Sequence, residues 1–73
     1  MKHDDIPDYE IRTDIRDTIH EIQNMTREAM AFEMLGDRLS MMKASVRRQG
    51  IVERLSFISK LEAILNERAT ERR

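Results

Sequence analysis

The sequence predicts an all-α protein: a helical hairpin or three-helix arrangement that assembles as a dimeric bundle. Three observations carry this. Apolar or small residues recur at alternating steps of four and three from Ile11 to Leu39, the period of a helix face packed along another helix. One proline, Pro7, and two glycines, Gly36 and Gly50, are the only strong helix breakers in 73 residues. Finally, Ile, Leu, Val, Phe and the methionines after Met1 supply 22 large apolar side chains. A domain this small hides only about 60% of its chain surface. More apolar surface is present than one hairpin can cover, so a second polypeptide is expected to share it.

The first helix is expected over residues 6–35. Asp5 is a candidate N-cap, with Ile6 and Pro7 opening the first turn, where the missing proline N–H costs nothing. Asp8 and Glu10 follow where the helix dipole favours negative charge. The seam then runs through Ile11, Ile15, Thr18, Ile22, Met25, Ala29, Phe32, Gly36 and Leu39. Of these, Ile11, Ile15, Ile22, Met25, Ala29, Phe32 and Leu39 are the expected oligomer contacts.

Gly36-Asp37 reads as a break, with glycine ending one helix and Asp37 capping the next. Gly50 reads as a second break, because Lys43, Arg47 and Arg48 suit a helix C-terminus. Leu39, Met42 and Val46 also fail to continue in phase into Ile51, Leu55, Ile58 and Leu65. This places a second helix at about 37–49 and a third at about 51–69. The rival is a two-helix hairpin turned at Gly36 alone, with Gly50 inside a long second helix at a cost of about 1 kcal/mol. Residues 1–5 are expected to be a flexible N-terminus, 6–69 one helical domain and 70–73 a frayed end.

Charge divides between the halves. Residues 1–36 carry nine acids and four bases, and residues 37–73 carry five acids and nine bases. Antiparallel packing of the halves sets opposite signs side by side.

Two features bear on function. Met30, Leu35, Met34, Met41 and Met42 form a Met-rich band, and Met30, Met34 and Met41 lie off the face of the main seam. Methionine repacks readily against varied partners, so these five are the expected partner-binding residues, unless a dimer mate buries them. Arg38, Lys43, Arg47, Arg48 and Arg54 form a basic segment and are the candidate phosphate contacts of an alternative, nucleic-acid-binding regulator. The sequence pI of about 6.1 and the lack of a recognition helix rich in Asn, Gln and Ser argue against it. A helix C-terminal cluster on a solvated face explains the same residues.

Other classes fall away. No cysteine is present, which removes disulfides, thiolate metal sites and a cysteine nucleophile. Asp17 and His20 are spaced as half of a bundle metal pair, but the chain holds no second half. The serines have no triad partners, and no glycine-rich phosphate loop occurs. The longest apolar run is four residues, Ala29 to Phe32, too short for a membrane span. The sequence therefore predicts a cytoplasmic, non-enzymatic interaction protein without cofactor. It would act as a regulator, adaptor or co-chaperone binding another protein or itself, with a purely structural oligomer as a further alternative.

Overall fold

The computed structural model describes residues 6–72. They form two helices, α1 (Asp8–Leu35) and α2 (Arg38–Glu71), folded back on each other into a rod of 54 × 19 × 17 Å. At 1.5 Å per residue, α2 alone accounts for nearly all of the length.

Gly36 makes the turn. Its φ of 75° is left-handed and its N–H reaches the Phe32 carbonyl, a conformation that L side chains adopt only at a cost. Asp37 then caps α2, its carboxylate accepting from the Ser40 N–H at 3.0 Å. Both roles match the sequence expectation. At the other end Pro7 is the N-cap of α1 and provides no side-chain cap. The helix begins two residues later than expected, and Asp5, the expected cap, lies outside the described residues, as does the expected N-terminal tail of residues 1–5. Helix α2 continues through Glu71, two residues past the expected end.

The expected break at Gly50 does not occur, and the two-helix rival describes the fold. The reason is visible in α2's buried stripe: Ser40, Ala44, Arg47, Ile51, Arg54, Ile58, Leu61, Leu65 and Arg68, every one buried or half-buried. The steps alternate four and three without interruption, straight past Gly50. The apparent slip of phase arises from taking Leu39, Met42 and Val46 as core, when they lie on another side of the helix.

In α1 the seam from Ile11 to Phe32 is correct in phase, and Ile11, Thr18 and Ala29 are its most enclosed members. It packs on α2 of the same chain. Leu39 does not belong to it: the chain has reversed at Gly36, and Leu39 is 60% exposed.

The helices are in antiparallel register about the turn. Glu28 meets Arg47, Glu21 meets Arg54 and Asp8 meets Arg68, each pair centred on Asp37 and Arg38, just past the turn glycine. Gly50 sits opposite Met25, whose methyl occupies the space a Cβ would need. Glycine thus serves for close approach at this position, at some loss of helix propensity. The split of charge between the halves is expressed as this row of acid-to-base contacts.

Candidate docking surface

Near the turn the buried positions are small: Ala29 on α1, Ser40 and Ala44 on α2. Small side chains bring the backbones together and leave a thin core. The large apolar residues beside them are left facing outward. Met30 (53% exposed), Met34 (87%), Leu35 (69%), Met41 (46%) and Met42 (59%) all remain accessible, together with Leu39 and Val46. The five residues that the sequence marks for partner binding therefore share the turn end of the rod. They stand on more than one side of that end: Met34 and Met42 each lie on the side of their helix away from its packed stripe, at 87% and 59% exposure.

Ion pairs fix its edges. Arg48 grips Glu33 with two hydrogen bonds of 2.7 Å, a bidentate geometry that orients both side chains. This contact pushes the Glu33 carboxyl below its ordinary range and raises the Arg48 guanidinium. Arg47 donates to Glu28 at 3.2 Å and Arg54 to Glu21 at 3.3 Å. Lys43 and Arg47 lie over the ring of half-buried Phe32, 5.5 and 5.7 Å from its centre, within cation–π range.

These contacts bear on the basic segment. Arg47, Arg48 and Arg54 are committed to carboxylates of α1, and Lys43 to an aromatic face. Phosphate binding through them would first have to break those contacts. Arg38 forms no salt bridge among the described residues.

At the far end, Arg68 clasps the start of α1. Its Nη1 donates to the Ile6 carbonyl at 2.6 Å and to Asp8 at 2.7 Å, and Arg72 reaches the same carboxylate at 2.9 Å. The Arg68 bond, then the Arg72 bond, holds the Asp8 carboxyl below its usual range. The Arg68 Nη2 is buried without a partner among the described residues. An open depression of about 520 Å³ lies here, lined by residues from both chain ends including Tyr9 and Glu71. Sequence reading gave no sign of this clasp, because Arg68 looks like an ordinary helix-terminal base.

His20 and Asp17 are both exposed, and no group of three or more ligand-type side chains is placed to hold a metal among the described residues. Among the described residues no helix is long and apolar enough to cross a membrane. Also missed from the sequence was the extent of exposed apolar surface along α2, where Val52, Leu55 and Phe57 stand 45–59% exposed. The irregular spacing of these residues against the Ile51–Ile58–Leu65 stripe was the available signal.

No family model, curated protein or solved structure matches this chain.

Proposed function

We propose that this protein is a small non-enzymatic interaction module, a regulator, adaptor or co-chaperone, that binds another protein through its Met-rich turn end. One observation carries this reading: seven large apolar side chains between Met30 and Val46 are 46–87% exposed on a rigidly capped hairpin. Surface of this kind is costly in water, at roughly 25 cal/mol per Å², and flexible thioethers suit a partner helix with an apolar face. The ion pairs at the edges give that helix a polar rim to meet.

The test is Met34→Glu. Its side chain is the most exposed of the set, so helix content and urea midpoint should be unchanged. Specific capture of a partner from host extract, measured against the unmodified chain, should be lost. Equal capture by both forms, or unfolding of the variant, contradicts the proposal.

A further inference from the structure

Beside the Met-rich end, α2 carries a second apolar stripe that runs much farther along the rod. Leu39, Met42, Val46, Phe57 and Ile64 are separated by three, four, eleven and seven residues, and each step returns close to the same side of a helix. Leu39, Met42, Val46 and Phe57 are 45–64% exposed, and Ile64 is half-buried. Near its C-terminal end the stripe opens into a shallow notch of about 470 Å³ lined by Lys60, Ala63, Ile64 and Glu67.

The charges on this side are ordered. Arg38 lies at the N-terminal end, Glu53 and Lys60 in the middle, and Glu67 and Glu71 at the C-terminal end. None of the five enters a salt bridge among the described residues, although other charges of α2 are engaged with α1. The arrangement is self-complementary in one orientation only. A second α2 laid antiparallel, with the two-fold axis at the level of Leu55, sets Val46 of one copy opposite Ile64 of the other, at the notch, and brings each Arg38 to the Glu71 end. Glu53 then lies within one helical turn of Lys60 of the other copy, twice, an offset that the two long side chains span. A parallel arrangement would stack like charges along the whole contact.

We infer that this protein forms an antiparallel homodimer through the Leu39–Ile64 side of α2. The Met30, Met34, Leu35 and Met41 side chains take no part in the contact, so the inference goes beyond the docking role above, although Leu39, Met42 and Val46 belong to both surfaces.

The pure full chain decides it, with no partner present. Sedimentation equilibrium should give a dimer. Lys60→Glu and Glu53→Lys should each raise the dimer dissociation constant about tenfold, and the double reversal should restore it. In the cysteine-free chain, the pair Val46→Cys with Ile64→Cys should oxidise to a cross-linked dimer. The two positions lie about 27 Å apart on one helix, so no intrachain bond competes. Val46→Cys alone should stay uncross-linked. A monomer at every concentration, cross-linking by Val46→Cys alone, or no additional cross-linking in the double variant overturns the inference. Failure here leaves the Met34→Glu capture result untouched, and failure of that result leaves the dimer untouched.

Discussion

Replacing Gly50 with alanine probes the closest approach of the two helices. In an isolated helix the change favours folding by about 1 kcal/mol. In this hairpin the new Cβ would meet the terminal methyl of Met25 and sit 3.3 Å from the Arg54 guanidinium. Met25 must swing aside, and crowding of this sort costs about 1–3 kcal/mol. The expected net result is a loss of about 1 kcal/mol in the native background, once the propensity gain is set against the crowding. With Met25→Ala already in place the obstacle is gone, and the same change should stabilise by about 1 kcal/mol. The double-mutant cycle should therefore show a coupling of about 2 kcal/mol. Urea unfolding followed by helix circular dichroism measures it, at one fixed protein concentration because self-association shifts apparent stability. Equal effects of Gly50→Ala in both backgrounds would refute the close packing of Met25 on Gly50. Such a result would also leave a mid-helix glycine without a physical reason.

Other predictions concern the turn, the core and pH. Gly36→Ala should cost about 1–2 kcal/mol in a urea titration, since alanine must adopt the left-handed conformation of the turn. Ile11→Ala should cost about 2–4 kcal/mol, because Ile11 is the largest side chain that is fully enclosed. Asp8, Glu33 and Asp37 have carboxyl pKa values below their ordinary range, through bonds from Arg68 and Arg72, from Arg48, and from Ser40 respectively. A carboxyl depressed in the folded state adds stability that is fully present above its unfolded pKa and is lost as pH falls toward the folded one. The urea midpoint should thus be flat near neutrality and fall on acidification through the carboxylate range. Asp8→Asn should shrink that fall, and an acid-independent midpoint would contradict the three contacts.

The sequence shows the fold unevenly, and the unevenness has a physical origin. Helix α1 is legible because Ile11, Ile15, Ile22, Met25 and Phe32 mark its seam with large apolar residues, and the phase they set also places the enclosed Thr18 and Ala29. The Gly36-Asp37 turn is legible because the left-handed cap and the side-chain cap each call for a specific residue type. Helix α2 hides its seam. Ser40, Ala44, Arg47, Arg54 and Arg68 occupy buried or half-buried positions, while Leu39, Met42 and Val46 point outward, so an apolar-only reading finds the wrong face. The arginines can sit inward because their stems pack while their guanidiniums reach α1 carboxylates or backbone carbonyls. The charge split between the halves foretold those carboxylate contacts, though not which residues would meet. The Met-rich band was visible as an excess of apolar residues on several sides at once. That it faces water on the single chain follows only from the small residues beneath it.

The central claim is that folding of the hairpin leaves the Met-rich end uncovered. Timed peroxide oxidation of the dilute pure protein, read methionine by methionine in a mass spectrometer, tests it most directly. Met34 should oxidise fastest, Met30, Met41 and Met42 should follow, and Met25, held against Gly50, should be slowest. Equal protection of all five would show that the chain buries this surface by itself and would contradict the account.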